Sequence, residues 1–192
     1  MTYFPTSAAV LNNKLINHKK SQHIIFNNMK VLIIGSWEKH KAVSCKKEAK
    51  EIGDLLAQKG FILISGGGTG VSEIVVKSYK ANKGKKYICY TPSRKQMEKV
   101  GESIGPEPDE LIETNLDYPE RNIMMVRECD AVIALHGGLG TLTEIIHAIK
   151  DYNKKVSIID FGELSSWIKA IPELREEVFL TSDIKKAIEH LI

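Results

Sequence analysis

Glu144 and Arg121 are the two residues of this sequence whose types and positions are best suited to chemistry. Glu144 stands about one turn into an expected helix whose apolar residues already define a buried face. Arg121 stands in the first turn of another expected helix, where the helix dipole disfavours a cation. A guanidinium pairs bidentately with a carboxylate or a phosphate. The two residues therefore predict a site for a phosphorylated ligand, with Arg121 holding Glu144 ionised. The structural alternatives are a dipole-complementing Glu144 and a surface Arg121 paired with Glu120.

A glycine turn leads directly into the helix that carries Glu144. The sequence runs Asp130-Ala-Val-Ile-Ala-Leu-His-Gly-Gly-Leu-Gly-Thr-Leu-Thr-Glu144, an apolar strand followed by the turn and a helix start. Glycines let the backbone approach a ligand closely. The N–H groups and the dipole of a helix N-terminus attract anions. This turn is therefore a predicted phosphate-binding site, formed by Gly137, Gly138, Gly140 and Thr141.

A second glycine turn follows an earlier strand, and a further glycine ends the first strand. In a parallel sheet all three lie at the carboxyl ends of strands, where ligands of such sheets bind. Neither turn has the GxGxxG spacing with a later acid that NAD requires, nor the GxxxxGK[ST] spacing of a Walker NTPase. We expect these segments to contact a nucleotide or similar ligand through Gly35, Ser36, Gly66, Gly67, Gly68 and Thr69.

Short apolar strands alternate with helical patterns along the chain, which favours βαβ units and a parallel sheet. The expected strands are 30–35, 61–64, 85–90, 110–114, 131–135, 155–160 and 178–180. The expected helices are 44–60, 71–82, 118–128, one after Gly140, 164–170, and one from Ser182. Residues 91–109 are expected to form a long polar loop, either functional or a solvated segment carrying Arg94, Lys95 and Lys99. The predicted fold is α/β, a doubly wound, mostly parallel, Rossmann-like sheet with helices on both faces.

Composition limits the class of protein. The chain has 192 residues and a net charge of +3, which suits one domain and gives no support to nucleic-acid binding. Its three cysteines are dispersed, so neither a disulfide framework nor a metal site is expected. No apolar run approaches the roughly 20 residues of a membrane span, and a cytoplasmic location is expected. Residues 1–28 are basic and aperiodic and are expected to be a disordered or misassigned tail, with the domain spanning 29–192.

Two segments resemble the LOG (Lonely Guy) family. Gly137-Gly-Leu-Gly-Thr-Leu-Thr-Glu144 is similar to its GGxGTxxE signature, and Glu120-Arg-Asn-Ile-Met-Met125 to its ERKxxM segment. The resemblance implies hydrolysis of the N-glycosidic bond of nucleoside 5′-monophosphates, with release of the base and ribose 5-phosphate. It also implies that Arg121 and Glu144 are the catalytic pair, that no cofactor is needed, and that the protein is a homodimer or larger.

The sequence departs from the LOG pattern at three places. In these features it resembles a neighbouring branch of unassigned activity and the molybdenum-cofactor carrier proteins. His136 stands where LOG enzymes have Pro, Asn122 stands where they have Lys, and the first glycine turn differs in length. The alternative function is therefore a non-catalytic carrier or sensor of a nucleotide or phosphorylated cofactor. Asn122 is a candidate to hydrogen-bond a ribose hydroxyl. His136 is expected to be satisfied by backbone or to contact phosphate, and His147 to lie on the helix surface or at a subunit contact.

Overall fold

The computed structural model describes residues 28–192, in which seven parallel strands form a single sheet. The strand order is β4-β3-β2-β1-β5-β6-β7. The strands are β1 (Lys30–Gly35), β2 (Ile62–Ser65), β3 (Lys86–Thr91), β4 (Glu110–Glu113), β5 (Ala131–Leu135), β6 (Lys155–Ile159) and β7 (Phe179–Thr181). The central strands are continuous apolar runs because both of their faces are covered. The predicted α/β fold is confirmed.

Helices cover both faces of the sheet. The helices are α1 (Lys39–Ser44), α2 (Lys46–Gln58), α3 (Val71–Ala81), α4 (Arg94–Val100), α5 (Tyr118–Glu128), α6 (Leu139–Ile146), α7 (Gly162–Ala170), α8 (Pro172–Glu177) and α9 (Ile184–His190). Helices α1, α2, α3 and α9 pack on one face, and α5 to α8 pack on the other. Strand β1 serves both layers, since Val31 and Ile33 enter the first and Leu32 and Ile34 enter the second.

The strand order reverses between β1 and β5, and this reversal positions the site. After β4 the chain crosses the sheet and places β5 beside β1, with Gly35 in register with Leu135. The amide of Ser36 donates to the carbonyl of His136 at 2.6 Å, which joins the loops that follow the two strands. A reversal of this kind opens a crevice at the carboxyl edge of a doubly wound sheet.

Four segments differ from the expected secondary structure. Residues 94–100 of the expected polar loop form α4, and α1 and α8 are short helices that the sequence analysis did not identify. Helix α4 buries no residue, while α1 buries Ala42 and α8 buries Leu174. An apolar stripe is the signal that reveals a helix in a sequence, and these helices lack one. Helix α6 also continues into a π-helical turn, His147–Asp151.

Local residues account for where three of the helices begin or end. Helix α5 begins with Pro119 in its first turn and is capped by the side chain of Asp117. Asp183 caps α9 by accepting from the amide of Lys186. Gly60 follows α2 with φ of 69°, a left-handed conformation that suits glycine.

The expectations for the first 27 residues lie outside the described residues, so the boundary at residue 29 stays a prediction. Across residues 28–192, no helix combines the length and apolarity that crossing a membrane requires. In the same range, no cluster of His, Cys, Asp and Glu side chains has an arrangement that could hold a metal ion.

Candidate functional site

A cavity of about 590 Å³ lies at the carboxyl edge of the sheet, beside the reversal of strand order. This volume is in the range of pockets that hold small-molecule ligands. Residues from both glycine turns, from the end of β1 and from α5 meet in it. The predicted residues that line the cavity are Gly35, Gly66, Gly68, Thr69, Arg121, Asn122, Gly140, Thr141 and Glu144.

Four other predicted residues do not line the cavity and instead shape the turns around it. Ser36 is buried, and its hydroxyl accepts from the amide of Glu38. Gly67 has φ of 79°, and a Cβ there would lie 2.3 Å from the Cys89 sulfur. A Cβ on Gly137 would lie 2.5 Å from the side chain of Thr141. Gly138 immediately precedes α6.

Arg121 is held beneath the first glycine turn. Its side chain projects from the first turn of α5, and the residue is 6% exposed. Nη1 donates to the Gly66 carbonyl at 2.8 Å and to the Tyr90 carbonyl at 2.9 Å. A Cβ on Gly66 would lie 2.1 Å from that nitrogen, so the close approach requires glycine. The alternative of a surface position for Arg121 is therefore excluded.

One nitrogen of the guanidinium is buried without a hydrogen-bond partner. The Nε of Arg121 is buried and has no hydrogen-bond partner in the described part of the chain. Burial lowers the pKa of Arg121 from its ordinary value, while the negative charges of Glu144 and Glu102 oppose this change. An arginine side chain nevertheless stays charged in proteins. The site therefore holds a fixed positive charge with an unused donor.

Glu144 is a buried carboxyl that is carried by α6 and lines the same cavity. The residue is 8% exposed. Burial raises the pKa of Glu144 from 4.5 to about 7, and the positive charge of Arg121 only partly opposes this. Arg121 favours the ionised form of Glu144, as expected, but desolvation is the larger influence on its pKa. The carboxyl is poised between its two protonation states near neutral pH.

The predicted phosphate-binding turn ends in a helix start without a side-chain cap. Gly138 precedes α6, and no side chain accepts from the first N–H groups of that helix. The first turn of any helix has N–H groups that lack partners within the helix. Thr141 is buried at 6% exposure and lines the cavity, so these groups adjoin the same space as Arg121 and Glu144.

Two further polar side chains that the sequence did not indicate reach the cavity, Glu102 after α4 and Tyr118 at the start of α5. The Tyr118 hydroxyl donates to the Glu102 carboxylate, and both residues line the cavity. A Cβ on Gly68 would lie 2.1 Å from Oε1 of Glu102, so this carboxylate lies against the first glycine turn. The Tyr118 ring also lies 5.3 Å from the Arg121 guanidinium carbon, a cation–π contact.

The basic residues expected to make residues 91–109 functional do not line the cavity. Arg94 forms an ion pair with Glu113 at 2.9 Å, and Lys95 and Lys99 lie outside the cavity wall. The useful sequence signal was the pair Gly101-Glu102, a glycine that ends α4 followed by an acid. Gly101 has φ of 64°, which turns the chain back toward the sheet.

The two histidines considered in the sequence lie away from the ligand space. His136 is buried outside the cavity wall, with its ring 5.7 Å from that of Phe161. Its Nδ1 has no hydrogen-bond partner among the described residues, so the expected backbone contact to that atom is not made. Burial and the nearby Lys41 lower the pKa of His136. His147 pairs with Asp151 at 2.5 Å, one turn further along the chain.

Two relatives are similar to this chain over about two thirds of its length or more. An uncharacterized protein of Archaeoglobus fulgidus is 32% identical over 134 residues, which cover 68% of this chain and 80% of the relative. A cytokinin riboside 5′-monophosphate phosphoribohydrolase of Mycobacterium tuberculosis is 28% identical over 156 residues, covering 73% of this chain and 81% of the enzyme.

A solved structure shares the fold. The molybdenum cofactor binding protein of the phototrophic bacterium Rippkaea orientalis superposes with a TM-score of 0.67 at 29% identity. The match covers 84% of this chain and 93% of that protein. A family model matches residues 28–188. The protein belongs to the SLOG cluster4 family.

Proposed function

We propose that this protein hydrolyses the N-glycosidic bond of nucleoside 5′-monophosphates and releases the free base and ribose 5-phosphate. The observation that carries the proposal is Glu144, a buried carboxyl with a pKa of about 7 in the same cavity as the Arg121 guanidinium. A general base works best when its pKa lies near the operating pH. The 28% identity to the mycobacterial phosphoribohydrolase supports the same reaction.

The ligand phosphate would bind at the start of α6. The uncapped N–H groups beside Gly140 and Thr141 attract an anion, and the helix dipole adds to the attraction. A 5′-phosphate held there leaves the ribose between Arg121 and Glu144, which line the same cavity. Asn122, the neighbour of Arg121 on α5, also lines the cavity and is suited to bond a ribose hydroxyl.

Glu144 would activate water in its ionised form. The carboxylate takes a proton from a water molecule while the water oxygen bonds to C1′ and the bond from C1′ to the base nitrogen breaks. The electron pair of that bond leaves with the base, which takes up a proton from solvent. Cleavage of a ribosyl bond passes through an oxocarbenium-like state, and a carboxylate close to C1′ stabilises that positive charge.

A carrier of a phosphorylated cofactor is the second candidate function. It is favoured by the 29% identity to the molybdenum cofactor binding protein, over 93% of that protein's length. A carrier would use the same phosphate-binding turn and the same arginine. In that case a protonated Glu144 would donate a hydrogen bond to the ligand and would take no part in bond cleavage.

Incubation with a panel of nucleoside 5′-monophosphates distinguishes the two functions. The hydrolase predicts free base and ribose 5-phosphate in equal amounts, measured by chromatography and mass spectrometry. Loss of a positioned general base lowers the rate by about 10²- to 10⁴-fold. The rate of hydrolysis by Glu144→Gln should fall by that factor, and the variant should still bind the nucleotide. Glu176→Gln, at an exposed glutamate outside the cavity wall, is the matched control. Nucleotides that remain intact with the wild-type protein would refute hydrolysis and favour the carrier.

A further inference from the structure

Trp37 is an exposed indole on the wall of the candidate site. Its side chain follows β1 and is 75% exposed, yet the residue lines the same cavity as Arg121 and Glu144. Tryptophan is a large apolar side chain that is highly buried on average in folded proteins. An indole left open to solvent at a cavity therefore calls for an explanation other than packing of the core.

The backbone around Trp37 is fixed even though its side chain is free. The Thr69 hydroxyl donates to the Trp37 carbonyl at 3.1 Å, and the Val71 amide donates to the Ser36 carbonyl at 2.9 Å. Gly70, with φ of 90°, lies so close that a Cβ there would be 2.6 Å from the Trp37 Cα. The first glycine turn thus fixes the backbone from which the indole projects at the wall of the cavity.

The residues that line the cavity differ in exposure. Thr141, Arg121 and Glu144 are all less than one-tenth exposed, whereas Gly140, at the start of α6, is exposed. Trp37 is also exposed, as is Val100, which is 61% exposed and lines the same cavity. A nucleotide with its phosphate at the start of α6 and its sugar beside Arg121 and Glu144 leaves these two apolar side chains to contact its heterocyclic ring.

We propose that Trp37 forms the subsite for the heterocyclic base, with its indole stacked on the ring of the bound ligand. The inference rests on the proposed function, because it takes a nucleoside 5′-monophosphate as the occupant of the cavity. Stacking on an aromatic side chain tolerates different bases, since every base has a π-face. The subsite therefore selects for a large flat heterocycle. It does not contribute to the binding of ribose 5-phosphate, because this product has no heterocycle.

Tryptophan fluorescence measures this contact directly. The sequence has two tryptophans, so Trp37 is the one tryptophan of the full-length Trp167→Phe variant. The probe is the carbocyclic analogue of adenosine 5′-monophosphate, which lacks the ring oxygen and resists hydrolysis. We expect saturable quenching of the emission by the analogue. Ribose 5-phosphate should cause no quenching but should displace the analogue.

Affinity measured by calorimetry separates stacking from other roles of Trp37. Loss of one stacked base weakens binding by about 5- to 150-fold, so Trp37→Ala should lower the affinity for the analogue by that factor. Its affinity for ribose 5-phosphate should not change, and Trp37→Phe should restore most of the loss. Val43→Ala, at a 66% exposed side chain outside the cavity wall, is the matched control and should bind normally.

The outcomes that overturn the inference differ from those that overturn the proposed function. Binding of both probes to wild type, with an unchanged affinity of Trp37→Ala for the analogue, refutes stacking and leaves the proposed function standing. A change of oligomeric mass in Trp37→Ala, measured by sedimentation with unchanged affinity for the analogue, would show that the indole contacts a second copy instead. Wild-type protein that binds neither probe refutes the phosphate-binding cavity itself, and with it both proposals.

Discussion

Glu144→Gln should stabilise the protein at alkaline pH, because it removes a carboxyl that must ionise inside the protein. The pKa of this group rises from 4.5 to about 7 on folding, since burial disfavours the charged form. Between these two values the folded state binds more protons than the unfolded state. The contribution of Glu144 to the free energy of unfolding therefore falls as pH rises between the two pKa values, and it is constant at higher pH. The glutamine amide carries no such cost.

The size of the effect follows from the two pKa values. Each unit of difference is worth about 1.4 kcal/mol. A shift from 4.5 to about 7 corresponds to a loss of about 3 kcal/mol once both states are ionised. Part of that loss occurs below pH 5, which leaves about 2.5 kcal/mol between pH 5 and pH 8. Other titrating groups are shared by the two proteins and cancel in the comparison.

Urea denaturation of the wild type and of Glu144→Gln at pH 5, 6, 7 and 8 measures the difference. We expect the free energy of unfolding of the variant, minus that of the wild type, to rise by about 2.5 kcal/mol over this range. Glu176→Gln, at an exposed glutamate, is the control and should stay within about 0.5 kcal/mol of the wild type. A pH-independent difference for Glu144→Gln would refute the conclusion that burial controls this carboxyl.

Two further substitutions test the groups around the cavity. Arg121→Lys replaces a nitrogen that bonds the carbonyls of Gly66 and Tyr90. An unsatisfied buried acceptor costs about 1–3 kcal/mol, so a loss of that order is expected in urea denaturation, and wild-type stability would contradict the role of these bonds. Gly140→Ala adds a Cβ that meets open space within α6 and should stabilise the helix by about 0.5–1 kcal/mol. The same methyl group should weaken binding of ribose 5-phosphate, and unchanged affinity would place the phosphate elsewhere.

The arrangement of the sheet could be predicted because its signals are local. Apolar runs such as Ala131–Leu135 identify strands that are covered on both faces. The regular alternation with helices then brings the carboxyl ends of parallel strands to one edge. This is why Arg121 and Glu144, 23 positions apart in the sequence, could be assigned to a common site. The structure places both on the wall of one cavity.

The parts that could not be predicted depend on contacts between distant residues. Helix α4 buries no side chain, so its sequence has no apolar periodicity to reveal it. Glu102 reaches the cavity because Tyr118 bonds its carboxylate and because the Gly105 amide donates to the Gly67 carbonyl at 2.7 Å. The protonation state of Glu144 depends on how completely the fold excludes water from it. A sequence alone shows the opposite charge of Arg121 but not this desolvation.

The rate of base release as a function of pH tests the central claim most directly. If an ionised Glu144 activates the attacking water, kcat/KM for a nucleoside 5′-monophosphate should rise with pH and level off above the pKa of about 7. The residual rate of Glu144→Gln should lack this rise. Release of base by the wild type that is independent of pH across this range, or that persists at the wild-type rate in Glu144→Gln, would contradict the account.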